Sequence, residues 1–153
     1  MENYKAISKE IKSKDLCPGI SWKTSNDNGD GDFDAEIVPL LKLLNTTEWH
    51  TTSSCAGHSS AYLRDPMKGY GIDSPYRICI YIHVHERTID KFMKLVQSFD
   101  DVSDGRLWCN LGYRPDYSNL VEKHYIPFEI IVLCGTKSIR DRILKSYEKI
   151  AQG

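Results

Sequence analysis

The chain reads as an α+β fold, a mixed β-sheet with helices packed mainly on one face. Three observations predict it. Residues 77–98 and 128–150 share one pattern: a strand-length apolar run, a short loop, then an amphipathic helix of about three turns. Residues 77–85 alternate, with Ile78, Ile80, Ile82 and Val84 on one face and Arg77, Cys79, Tyr81, His83 and His85 on the other. Composition is ordinary for a globular protein, with 41% hydrophobic and 27% charged residues among 153. That length matches one domain of about 100–200 residues. Residues 1–33 would be an N-terminal helix and an exposed acidic loop, and 34–153 the core.

Taken in order, residues 3–14 place Tyr4, Ile7 and Ile11 on one helical face, and Pro18-Gly19 ends the pattern. Residues 23–34, KTSNDNGDGDFD, read as an exposed loop. Ile37, Leu40, Leu41 and Leu44 follow helical spacing. Pro39 fits only the first turn, where its missing N–H is no loss, so the helix starts near Asp34 or Ala35, with Asp34 a candidate cap, and ends at Asn45. Residues 48–54 have strand composition, and 60–75 read as loop. After strand 77–85, Thr88 would cap helix 88–98, with Ile89, Phe92, Met93 and Val96 at helical spacing. Residues 106–112 make a short strand and 113–125 a polar loop. The apolar run 128–134, FEIIVLC, predicts a central buried strand. Ser138, with Asp141 three residues on, would cap a last helix whose stripe is Ile139, Ile143, Tyr147 and Ile150.

Twenty basic against 21 acidic residues give a net charge of -1, which excludes a strongly basic nucleic-acid coat. No apolar run reaches the ~18 residues of a membrane span, and the first residues lack a signal peptide's apolar stretch. Five scattered cysteines without a CxxC pair read as reduced thiols in a cytoplasmic protein; Cys79, Cys109 and Cys134 lie in apolar runs as small core residues. The acidic loop is no calcium site, because Ile37 falls where the twelfth-position Glu is needed.

The unusual segment is Thr51-Thr52-Ser53-Ser54-Cys55-Ala56-Gly57-His58-Ser59-Ser60. Small side chains let a ligand approach main chain closely, and their hydroxyl and N–H groups can donate to it; a plain Ser/Thr-rich strand end explains the composition equally. With Asp34, Ile37, Pro39, Leu40 and Asn45 at matching offsets before TTSSCAGH, the segment resembles the tRNA wybutosine-synthesizing protein 3 family. Strand 77–83 with its following helix, and Tyr125-Ile126-Pro127-Phe128 before the apolar run, are similar to later family elements. The resemblance covers about half the chain. It implies a fold unlike the Rossmann methyltransferases. It further implies S-adenosylmethionine-dependent methylation of a ring nitrogen on the tricyclic guanosine beside the phenylalanine tRNA anticodon. Thr52, Ser53, Ser54, Cys55 and Gly57 would then hold the cofactor, tRNA would be the partner, and His83 would be the base, with His58 as runner-up. The family's Gly-Arg is Gly57-His58 here, and its strands after the last helix have no counterpart in this sequence.

Other chemistries stay open. Cys55 with His58 or His83 offers a nucleophile and base. Cys55, His58, His83 and His85 offer ligands for a small metal-dependent hydrolase. A non-catalytic RNA- or ligand-binding module is a third reading. Lysines 5, 9, 12 and 14 with Lys137, Arg140, Arg142, Lys145 and Lys149 read as solvated helix faces or, if adjacent, a phosphate patch. Trp22, Trp49 and Trp108 are candidates for stacking on a base. The discriminating observation is whether His83 lies close to Cys55.

Overall fold

The computed structural model describes residues 24–25, 33–57, 75–112 and 124–153. The N-terminal helix expected over 3–14, the 60–74 and 113–123 loops, Trp22 and His58 lie outside the described residues.

The elements are β1 (Thr24–Ser25), β2 (Phe33–Asp34), α1 (Val38–Leu44), β3 (Trp49–Cys55), β4 (Ile78–His85), α2 (Ile89–Asp101), β5 (Leu107–Leu111), β6 (Tyr125–Val132) and α3 (Lys137–Gln152). They build a six-stranded sheet in the order β1-β2-β3-β4-β6-β5. β1, β2 and β3 run parallel, and β3, β4, β6 and β5 pair antiparallel, so the sheet is mixed as expected.

One sheet face carries the core. Ile78, Ile80, Ile82 and Val84 of β4 are fully buried with Leu40, Leu41 and Leu44 of α1, Phe92 and Phe99 of α2, and Ile143 and Tyr147 of α3. Burying a Leu, Ile or Phe side chain contributes about 1.5–3 kcal/mol, so this layer dominates the stability. The Tyr147 ring stacks on Phe99 at 4.1 Å, and its hydroxyl meets the Ser103 hydroxyl. All three helices lie against this face, which agrees with the α+β reading.

Several local expectations are corrected. The ends of the 23–34 segment are strands, because β3 has a free edge whose main-chain groups need partners. The strand is 125–132, not 128–134, and only Ile130 and Val132 of it are buried; Pro127 is tolerated in it because Gly112, just past β5, needs only its carbonyl there. Thr136, not Ser138, caps α3 by accepting from Ile139 N–H at 3.2 Å. Thr88 occupies a cap position but spends its hydroxyl on the His85 carbonyl and on Trp49 Nε1. Trp49 is therefore a core residue rather than a platform for a base. Cys134 is buried, whereas Cys79 and Cys109 are half-buried. Among the described residues, no helix is long and apolar enough to cross a membrane.

Candidate functional site

The small-residue segment forms the end of β3, and the strand is irregular there. Thr52 pairs with Tyr81 and Cys55 with Cys79, so β3 spends one more residue than β4 over this interval. Such a bulge bends the strand and re-aims its side chains. Gly57 follows with φ of +86°, and a Cβ there would lie 2.3 Å from the Tyr76 carbonyl carbon. Gly57 is required by this close backbone crossing, and Tyr76 itself is left-handed at φ +57°.

The peptide groups of Ala56 are gripped from two sides. Asp34 Oδ2 accepts from Ala56 N–H at 2.7 Å, and Arg140 Nη1 donates to the Ala56 carbonyl at 2.9 Å. Asp34 was expected to cap a helix; it does precede a short 3-10 turn, but its carboxylate reaches across to the bulged strand instead. Arg140 was expected on the solvated face of the last helix. Its side chain is 3% exposed, donates through Nε to Asp141 at 2.7 Å, and holds its guanidinium 5.0 Å from the centre of the Tyr76 ring. A planar fork with several donors suits this inward position better than a lysine would. Arg140 and Leu144, four residues apart and flanking the predicted stripe, widen the inward face of α3, and that adjacency was the available signal.

Hydroxyls in the segment are committed inward where they are described. Thr51 is fully buried, and its Oγ1 accepts from Asn45 Nδ2 while its N–H donates to Asn45 Oδ1 at 2.9 Å. Ser54 is buried, and its Oγ accepts from Tyr81 N–H at 3.4 Å. Cys55 is half-buried, and Gly57 N–H donates to its Sγ at 3.1 Å. Burial pushes the thiol far above its ordinary range, and the Asp34 carboxylate adds to that by its charge and by accepting from the thiol. Cys55 is thus a neutral thiol, without the lowered pKa that a nucleophile needs. Thr52 and Ser53 contribute the main chain of the bulged strand.

The histidines gather at the other end of the same strand pair. His83 lies opposite His50, not opposite the bulge. It is four residues from Cys79 along β4, or about 13 Å. His83 is 4% exposed, and burial lowers its pKa to about 4, so it is neutral at physiological pH. His50 stacks on Tyr125 at 4.7 Å, His85 meets the same ring edge-on at 5.0 Å, and His124 lies 6.2 Å from His85. The structure therefore brings Asp34, Ser54, Cys55, Gly57 and Arg140 together and sets His83 and His85 apart from them. Among the described residues, no three His, Cys, Asp or Glu side chains are grouped to hold a metal ion.

Comparison with known proteins adds one finding. No family model and no solved structure matches this chain. The curated tRNA wybutosine-synthesizing protein 3 of Schizosaccharomyces pombe is 32% identical over 68 residues, which is 42% of this chain. The match spans 29% of that protein's length. The similarity supports a distant relationship between this chain and that wybutosine-synthesizing protein.

Proposed function

We propose that this chain is an S-adenosylmethionine-dependent methyltransferase acting on tRNA, of the wybutosine kind or a divergent relative of it. One observation carries the reading: the clamped, bulged end of β3, where Asp34 and Arg140 fix the Ala56 peptide groups beside a thiol that is kept neutral. Methyl transfer needs donor and acceptor held in line and requires no protein nucleophile. A rigid main-chain surface suits that task, and a neutral thiol does not compete as an acceptor.

The fit to the cofactor is through main chain. Ser54 and Gly57 are committed to internal contacts, so the backbone of Thr52, Ser53, Ser54 and Gly57, with the half-open Cys55 side chain, would hold it. When bound, the cofactor supplies an electrophilic methyl group to a ring nitrogen and leaves as a neutral thioether. The proton released from that nitrogen goes to a base. His83, with its pKa near 4 and its place about 13 Å along the strand, is a weak proton acceptor. His58, the neighbour of Gly57 in the chain, takes that role in this proposal.

A second reading is a tRNA- or ligand-binding module without the reaction. Gly57-His58 in place of Gly-Arg favours it, because a histidine, with an ordinary pKa of roughly 6.5, is mostly uncharged at neutral pH whereas an arginine stays charged. Calorimetric titration with S-adenosylmethionine, followed by transfer of labelled methyl to tRNA bearing the tricyclic guanosine, separates the two. Heat and transfer are expected. Absence of heat at high micromolar cofactor removes the methyltransferase reading, and salt-dependent tRNA binding without transfer selects the second.

A further inference from the structure

β5 ends the sheet order and, among the described strands, pairs only with β6. Leu133 N–H donates to the Arg106 carbonyl, and Gly112 N–H to the Pro127 carbonyl. With that phase, Trp108 and Asn110 turn their main-chain groups toward β6, while Leu107, Cys109 and Leu111 turn theirs outward. Among the described residues, the outward edge has none of the usual protections. Residues 107–112, LWCNLG, contain no charge and no proline, and β5 pairs with β6 without a register shift. Two large apolar side chains are exposed on it, Trp108 at 49% and Leu111 at 70%.

We propose that two copies of this chain pair through β5, antiparallel and two-fold symmetric about Cys109. The sequence of the strand selects a second copy as the occupant. Turned end for end, Leu-Trp-Cys-Asn-Leu sets Leu107 against the partner's Leu111, and Cys109 against the partner's Cys109. Each outward residue then meets an outward residue, so every N–H of the three finds a carbonyl. On the helix face, the exposed Leu111 covers the half-buried Leu107 of the other copy. On the opposite face Trp108 lies against Asn110. A C2 contact of this kind uses the same patch twice and closes after two copies.

Hydrogen exchange on the full chain, read by NMR at several protein concentrations alongside sedimentation, tests this. The amides of Leu107, Cys109 and Leu111 should exchange as an open edge when dilute. They should slow by roughly tenfold or more once most of the protein is paired, since protection follows the open fraction. Those of Trp108 and Asn110 should stay protected throughout. Leu111→Lys, on an exposed side chain, should keep the fold and shift dimerisation to higher concentration, and Cys109→Pro should abolish it. A monomer at every concentration overturns the proposal, whether the outward amides are open or are equally protected at all dilutions. Species that keep growing beyond two copies also overturn it.

Discussion

β3 and β4 form one antiparallel pair with two unlike ends. At the His50–His83 end the ladder is regular, and imidazoles and the Tyr125 ring pack face to face or edge to face. At the Cys55–Cys79 end the ladder slips by one residue between Thr52 and Cys55, and just past it a buried carboxylate and a buried guanidinium hold the Ala56 N–H and carbonyl. The difference is physical. A regular ladder satisfies its own backbone, so the histidine end needs only packing. Past the bulge the strand ends, so the Ala56 main-chain groups have no ladder partner and side chains satisfy them. The end that recruits charged groups to hold main chain in a fixed irregular shape is the better candidate for ligand binding.

The sharpest way to break this comparison is at Arg140. Arg140→Met should leave the buried Ala56 carbonyl without its donor, at a cost of about 1–3 kcal/mol in urea unfolding. Arg140→Lys, which keeps the charge and loses the fork, should fall between. A loss no larger than that of an exposed α3 cation such as Lys145 would mean that the bulge holds itself.

The histidine end should dominate the pH dependence. Burial lowers the His83 pKa from 6.5 to about 4, so between those values the unfolded chain binds a proton that the folded chain does not. Stability from this group is therefore fully present above pH 6.5 and is lost as the pH falls toward 4, by about 3 kcal/mol at most. Urea midpoints at a series of pH values should show the decline, and His83→Phe should flatten it. A decline unchanged in that variant would move the effect to another group.

The smallest effect expected is on thiol chemistry at the bulged end. Asp34→Asn removes the negative charge that helps hold Cys55 protonated, and burial remains. Alkylation of Cys55 at one alkaline pH, followed by mass spectrometry, should quicken several-fold, by the same linkage between charge and pKa. An unchanged rate would leave burial as the whole cause.

Much of the architecture was legible because it rests on periodicity. The alternation of 77–85 and the i, i+3, i+4, i+7 spacing of Ile37 to Leu44 name the buried faces directly, since burial favours apolar side chains at those repeats. The candidate site was legible as a composition and not as a geometry. TTSSCAG marks a place where small residues matter, but the same letters suit a ligand, a backbone crossing or an inward hydroxyl. Here Gly57 is explained by the crossing at Tyr76, and Thr51 and Ser54 by Asn45 and Tyr81. Caps were misassigned for a related reason. Asp34, Thr88 and Ser138 are all good caps locally, yet Asp34 and Thr88 have stronger calls on their side chains from other strands, and Thr136 reaches Ile139 first.

By itself, then, the sequence determined the buried faces of strand 77–85 and of the helix from Ile37 to Leu44, the main strands and helices, and the face shared by Cys79, Tyr81, His83 and His85. Local periodicity and chain stiffness act over a few residues, and these properties depend on nothing farther away. Tertiary structure alone decided that His83 stands opposite His50 instead of Cys55, and that Arg140 is buried against Ala56, 84 positions earlier in the chain. Strand register and the partner of a buried charge depend on pairing between distant segments, where a shift of one residue changes every neighbour.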